Sequence, residues 1–329
     1  MARSIDIAIS YTSQIMNAWQ VHQWCEPEQM QYVSTVERPS PGPGQTLIEV
    51  KAAAPNFFDI LQVQGKYQVK PPFPFTPGAE VAGLDVATGN RVLAIVQQGG
   101  FAEYAVAEEV FAIPDGFDFA QAAAFPIVYQ TGYFALVTRA QLQPGECLLV
   151  HAGASGVGMA AIQIGKALGA HVIATASTAE KREFAQKQGA DAVFDYTTPA
   201  WIDALKDATK GRGADVIYDP VGGDIFDQST KCIASEGRLL VIGFASGRIP
   251  EMAANRALLK NMSVVGVFWG GYVKQHPGYT AECHNALASM ASAGKLKPEV
   301  ATTYRLDQAP QALRDLANRK ILGKTVLIP

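Results

Sequence analysis

The chain has 329 residues, 48% of them hydrophobic and 17% charged, with a formal net charge of −3. That is long for one domain, sufficient for two apolar cores, and unlike the composition of a disordered chain. The lack of any basic block argues against nucleic-acid binding through phosphates, and no apolar run approaches the ~20 residues of a membrane span.

Residues 1–15 lack the charged and apolar regions of a signal peptide and read as an extension ahead of the fold. A more regular stretch, Asn17-Ala-Trp-Gln-Val-His, follows Met16. Up to about residue 137, strand-like segments (46–51, 91–96) alternate with proline and glycine clusters (39–44, 71–78, 99–100). This predicts a β-rich unit over 16–137, with helices leading out of it over 119–139.

From residue 138 the rhythm becomes strand–helix. Strands are predicted at 147–151, 171–175, 192–194, 216–218, 238–242 and 263–267. Helices are predicted at 159–168, 179–188, 200–209 and 225–234, with a shorter one at 255–260. The strands are apolar on both faces, as in a parallel sheet covered by helices. Six of them make a complete doubly wound nucleotide fold over 138–271. Beyond residue 272, helices are predicted at 278–293 and 309–317. A last strand at 324–328 returns to the first unit, so that 272–329 completes it. The four cysteines lie far apart, with no Cys-x-x-Cys pair. This reads as a reduced, cytoplasmic protein whose cysteines are small buried hydrophobes.

The strongest local signal is Cys147-Leu-Leu-Val-His-Ala-Gly-Ala-Ser-Gly-Val-Gly158. A strand, a small-residue turn and a helix follow one another, the setting a dinucleotide fingerprint requires. Small residues let the backbone approach a pyrophosphate, and the helix N-terminus faces its charge. The spacing is imperfect, because Ser155 stands at the usual second glycine. An NAD site carries an acidic residue at the tip of the second strand, to bond the ribose 2′-hydroxyl. Here that strand ends Thr175-Ala176-Ser177-Thr178, and Lys181 and Arg182 follow within a helical turn. Cations and hydroxyl donors without a carboxylate fit a 2′-phosphate, hence NADPH over NADH.

Further segments carry a resemblance. They are 56–67 (Asn-Phe-Phe-Asp-Ile-Leu-Gln-Val-Gln-Gly-Lys-Tyr), 77–83 (Pro-Gly-Ala-Glu-Val-Ala-Gly), 100–104, 150–158, 218–224 (Tyr-Asp-Pro-Val-Gly-Gly-Asp), 237–247 and 323–327. With these the chain resembles the medium-chain dehydrogenase/reductase superfamily, and within it the zeta-crystallin-like NADPH:quinone oxidoreductases, over nearly everything after Met16. The resemblance implies an α/β protein with a GroES-like β-rich substrate domain, a doubly wound parallel-sheet Rossmann domain, a cleft between them, and a homodimer. Zinc alcohol dehydrogenases of the superfamily have a cysteine where Asn56 stands and Gly-His-Glu at residues 78–80. Asn56 and Ala79 are not useful zinc ligands, and the structural-zinc lobe has no counterpart over 90–105, so no metal is expected.

What remains is hydride delivery to an acceptor that is already electrophilic, a quinone or an enone. Candidate donors to the substrate oxygen are Asn56 and Tyr67, and the Asn56 amide is equally a candidate to bind the cofactor through its carboxamide or ribose. Asn56 is equally readable as a turn former after Pro55, and Tyr67 as a wall aromatic. The resemblance places Thr131 near the nicotinamide and Gly156 and Val157 at the pyrophosphate. It places Ser177, Lys181 and Tyr196 around the 2′-phosphate and adenosine. Val221, then Gly243, Phe244, Ala245 and Ser246, then Phe268, Trp269 and Gly270 follow the fourth, fifth and sixth strands, and Arg319 is similar to a cofactor arginine. His151 reads as a packed histidine and Asp59 as structural. Asp219 and Asp224 read as shaping the turn after the fourth strand. The leading expectation is an NADPH-dependent quinone reductase. Its rivals are an enoyl or 2-alkenal double-bond reductase and a cofactor-binding protein with little turnover.

Overall fold

The computed structural model describes residues 14–329; residues 1–13, most of the expected extension, lie outside the described residues. In chain order the first half comprises β1 (Ile15–Gln20), β2 (Gln31–Glu37), β3 (Thr46–Ala53), α1 (Phe57–Val63), β4 (Glu80–Asp85), β5 (Arg91–Ile95), β6 (Tyr104–Ala107) and β7 (Phe111–Ala112). Helices α2 (Phe119–Ala123) and α3 (Pro126–Tyr133), then a π-helical segment Phe134–Arg139, lead out of it. The second half comprises β8 (Cys147–Val150), α4 (Gly156–Ala167), β9 (His171–Ala176), α5 (Ala179–Lys187), β10 (Ala192–Asp195), α6 (Trp201–Ala208), β11 (Ala214–Asp219), α7 (Gly223–Cys232), β12 (Ile233–Val241), α8 (Asn255–Lys260) and β13 (Ser263–Gly266). It ends with α9 (Trp269–Gln275), α10 (Tyr279–Ser292), β14 (Val300–Arg305), α11 (Ala309–Ala317) and β15 (Lys324–Ile328).

Strands β8 to β13 form one parallel sheet in the order β10-β9-β8-β11-β12-β13. Counted from β8 this is 3-2-1-4-5-6, the dinucleotide-binding order, with its reversal point between β8 and β11. Every residue of β8 is buried, and Leu148 and Leu149 face different core clusters on the two sides of the sheet. The two-sided burial is what made these strands read as continuous apolar runs. A seven-stranded sheet runs β14-β15-β3-β4-β5-β7, with β6 also on β3, and β1 pairs with β2. The last strand returns across the molecule, Leu327 opposite Ala53.

The structure differs from the sequence reading at several points. β1 starts at Ile15, inside the expected extension. α4 starts at Gly156 rather than residue 159, because Ser155 caps it by accepting from the Gly158 N–H at 3.1 Å. α7 ends at Cys232, where β12 begins at once. β14 was not anticipated: it is an edge strand whose residues alternate between half-buried and exposed, so its apolar signal is weak.

Candidate active site and cofactor crevice

The carboxyl ends of β8, β9, β11 and β12 surround the reversal point. At the end of β8 the chain turns into α4 with little room. A Cβ on Gly158 would lie 2.2 Å from the Ala152 carbonyl oxygen, so only glycine lets the helix start so close to the strand. A Cβ on Gly156 would lie 2.7 Å from Cδ of Lys324, and Gly323 pairs with Ser155 in a short parallel bridge. The chain's last strand therefore runs directly against the fingerprint turn.

At the β9 tip, Ser177 and Thr178 carry no charge, and Thr178 caps α5 by accepting from Lys181 N–H. The Lys181 ammonium donates to the carbonyl of Arg319 at 2.6 Å, and the Arg319 guanidinium donates to the carbonyl of Ala245 at 3.0 Å. Burial, and then the charge of Arg319, lower the Lys181 pKa. Arg319 has φ +57° because it closes the end of α11: its N–H donates to the Leu316 carbonyl and that of Lys320 to the Asp315 carbonyl. Arg182 is engaged by Asp195 at 2.8 Å. Two cations and a serine thus share one edge of the crevice, β9 ends without a carboxylate, and the adjacent Asp195 is paired with Arg182. That donor set fits a phosphate ester.

Tyr196 follows β10 and packs partly buried against the cluster under Trp201. Val221 stands in the turn after β11, where Asp219 accepts from the Val221 and Gly222 N–H groups at 2.8 and 3.0 Å. Burial pushes the Asp219 carboxyl up to about 6. Gly243 to Ser246 follow β12, and Ala245 and Ser246 donate to the carbonyls of Pro220 and Val221. The structure thus joins these two groups of candidate residues. Phe244 is 39% exposed and Phe268, after β13, is 57% exposed. Trp269 packs on the cluster of Phe134, Tyr279 and Cys283, although its buried Nε1 has no partner among the described residues. Gly270 sits beside it in α9, and Thr131 lies half-buried in α3.

Asn56 departs from expectation. It caps α1, and its backbone N–H donates to Asp59 at 2.7 Å. Its amide nitrogen donates both to the Ala54 carbonyl (3.1 Å) and to Glu80 Oε1 (2.8 Å), while Oδ1 accepts from Lys324 Nζ (2.8 Å). Both amide hydrogens are spent within the protein, so Asn56 has no N–H to offer a substrate oxygen. Lys324 Nζ also donates to the Pro55 carbonyl (3.0 Å) and to Glu80 Oε1 (2.8 Å), and Glu80 Oε2 accepts from Ile127 N–H at the start of α3 (2.8 Å). Glu80 is 0% and Lys324 4% exposed. This buried network ties α1, β4, α3 and β15 together beneath α4. Sequence reasoning missed its two charged members. Their signal was a lone charge within an apolar strand, which has to be paired when buried.

Asp59, also fully buried, has its carboxyl pushed up to about 7 by burial. Tyr67 is half-buried, stacked on Phe58 at 5.3 Å, and its pKa is raised by burial and then by Asp59. Its hydroxyl is therefore protonated at neutral pH. His151 is a packed histidine: its ring nitrogens bond Thr175 and Ser229 hydroxyls, each at 2.8 Å, and burial drops its pKa to about 3. Asp219 does shape its turn, whereas Asp224 pairs at the surface with Arg248 at 2.9 Å.

Together the six-stranded order and the β-rich unit closed by β15 define a two-part dinucleotide-dependent dehydrogenase or reductase. Residues 42–115 match the family model described as alcohol dehydrogenase GroES-like domain, and residues 156–292 the one described as zinc-binding dehydrogenase. A quinone oxidoreductase-like protein 2 homolog of Nematostella vectensis is 40% identical over 300 residues, covering 87% of this chain and 82% of that protein. A probable oxidoreductase from Mycobacterium abscessus superposes with a TM-score of 0.87 at 37% identity, over 96% of this chain and 100% of that one. An Escherichia coli quinone oxidoreductase complexed with NADPH gives 0.87 at 30% identity, over 95% and 100%. The chain belongs to the medium-chain dehydrogenase/reductase superfamily, in its quinone oxidoreductase-like branch.

The donor set does not fit the zinc that one of these descriptions names. Among the described residues no group of three or more His, Cys, Asp and Glu could hold a metal ion. Ala79 has no donor atom, and beside Glu80 the Lys324 ammonium already supplies a cation. No helix of the described residues is long and apolar enough to cross a membrane.

Proposed function

We propose that this enzyme reduces a quinone with NADPH and without zinc. The observation that carries the cofactor choice is the β9 tip, where Lys181 and Arg319 stand together, β9 itself ends without a carboxylate, and the neighbouring Asp195 is paired with Arg182. Relatives named quinone oxidoreductase, and the NADPH complex among similar structures, support the same reading. Gly156 and Val157 hold the pyrophosphate at the start of α4; Ser177, Lys181, Tyr196 and Arg319 hold the phosphorylated adenosine end. Thr131, Val221, Gly243 to Ser246, and Phe268 to Gly270 shape the nicotinamide end.

Bound NADPH supplies the hydride. The protein supplies orientation, exclusion of water and a donor for the reduced oxygen. Tyr67 is that donor, because its protonated hydroxyl lies on the segment beyond α1, whereas the Asn56 amide is committed elsewhere. Asn56, Glu80 and Lys324 position α1 and α3 against α4.

A homodimer is part of this reading. Among the described residues the outer edge of β13 is unpaired, and Leu258, Leu259, Val264 and Phe268 near it are 75%, 78%, 44% and 57% exposed. The deciding experiment is steady-state kinetics with NADPH and NADH against 1,4-benzoquinone, 9,10-phenanthrenequinone, a 2-alkenal and an enoyl thioester. Quinone turnover with NADPH preferred is expected. A strong preference for the alkenal or thioester would replace the quinone as substrate, and tight NADPH binding with no turnover would point to a binding protein.

A further inference from the structure

We propose that Asp219 is a positioning residue for the cofactor, its carboxylate fixing the turn after β11 and, through that turn, the loop after β12. The proposal rests on the reading that this crevice holds NADPH. Asp219 is 1% exposed at the end of a central strand, next to the reversal point of the sheet. Oδ1 accepts two successive backbone N–H groups, from Val221 and Gly222. This holds the chain in a sharp turn, with Gly222 at φ +67° and Gly223 at φ +56°.

The turn is interlocked with the second loop. The carbonyls of Asp219, Pro220 and Val221 accept from the N–H groups of Ile242, Ala245 and Ser246 at 3.0, 3.1 and 2.9 Å. A Cβ on Gly222 would lie 2.9 Å from Phe244 Cδ1, and one on Gly223 2.7 Å from Ser246 Oγ. Neither segment can move without the other. Arg319 then reaches the same body by donating to the Ala245 carbonyl. One carboxylate thus sets the place of Val221, of Gly243 to Ser246 and of the partner that Arg319 binds.

Burying this carboxylate is costly, and what it secures is the turn. Oδ2 has no partner among the described residues, and no charged group compensates its burial. The unpaired Oδ2 costs free energy that an apolar residue would avoid, although that residue would leave the Val221 and Gly222 N–H groups without their acceptor. What the apolar residue lacks is the acceptor that shapes the turn.

The test is titration of NADPH into the purified full-length protein, read by nicotinamide fluorescence, with and without a quinone assay. Asp219→Ala raises the NADPH Kd by about tenfold or more, the equivalent of losing charge-assisted bonds to the loop, while Asp219→Asn, which keeps the acceptor oxygen, stays within about threefold of wild type. The loss falls on Kd and KM for NADPH more than on kcat. The gain in melting temperature on saturation with NADPH shrinks in parallel. Gly222→Ala displaces the turn while leaving the carboxylate in place, and weakens NADPH in the same way; it decides the matter if Asp219→Ala fails to fold. Normal NADPH affinity in a folded Asp219→Ala protein or in Gly222→Ala, or an Asn variant as weak as the Ala variant, overturns the proposal. A wild-type protein that binds no NADPH overturns the cofactor reading instead.

Discussion

The ammonium of Lys324 lies 2.8 Å from the carboxylate of Glu80, and the two side chains are 4% and 0% exposed. Removing one member strands the other charge in the interior, at a cost of about 3–5 kcal/mol. Lys324→Met should therefore lower the unfolding free energy by about that amount in urea titrations, and adding Glu80→Gln should recover part of it. A Lys324→Met protein as stable as wild type would mean that the pair contributes nothing to holding α1, α3 and β15 together.

Lys181→Glu reverses a charge at the β9 tip. A carboxylate there repels a 2′-phosphate and can accept from a ribose hydroxyl. The NADPH-over-NADH ratio of kcat/KM should fall about ten- to a hundredfold, the worth of one charged hydrogen bond. An unchanged ratio would remove Lys181 from the adenosine site.

Tyr67→Phe removes the proposed donor and leaves its stacking on Phe58 intact. The expected result is a kcat lower by about tenfold or more with quinones, with KM for NADPH unchanged. Burial and Asp59 both hold the phenol in its protonated form, so the wild-type kcat should have no Tyr67 limb at neutral pH. Unaltered turnover with every acceptor would leave Tyr67 as a wall of the cleft.

His151 makes stability depend on acid. Its pKa falls from 6.5 to about 3 on folding, because burial disfavours the charged ring. Between those values the unfolded chain binds a proton that the folded chain does not. The contribution is complete above 6.5 and is lost as the pH drops towards 3, at about 1.4 kcal/mol per pH unit for this one group. Denaturation at stepwise lower pH measures it. His151→Gln should show a shallower acid limb, and an equal slope in both proteins would refute the assignment.

Val264→Arg places a charge on the free edge of the six-stranded sheet, where Val264 is 44% exposed. If a second copy covers this edge, light scattering should show dimer for wild type and monomer for the variant. A wild type that is monomeric at working concentration would rule out that packing.

Much of this architecture is legible in the sequence. The inner strands β8, β9 and β11 declare themselves because both faces are buried, and the helices between them carry their own caps and glycines. The missing acid after Ala176 was visible for the same reason: it sits at a position that strand geometry defines. β14 was not legible, since an edge strand with one wet face resembles a polar loop. The commitment of Asn56 was hidden too. The sequence reveals an amide after a proline, but its partners Glu80 and Lys324 are 24 and 268 positions away, and only the closing of the sheet brings them together. The meeting of Lys181 with Arg319, 138 positions apart, was invisible for the same reason.

The pairing of Leu327 with Ala53 has a consequence for how the chain comes together during synthesis. All six strands of the nucleotide-type sheet lie between Cys147 and Gly266, so that unit can assemble as soon as this stretch leaves the ribosome. The sheet begun earlier has β4 and β6 on β3 at once, but the Ala53 end of β3 lacks its β15 neighbour until that strand is released. The part translated first is therefore finished last, and shortening the chain by its last strand would leave the opening half with an unprotected edge.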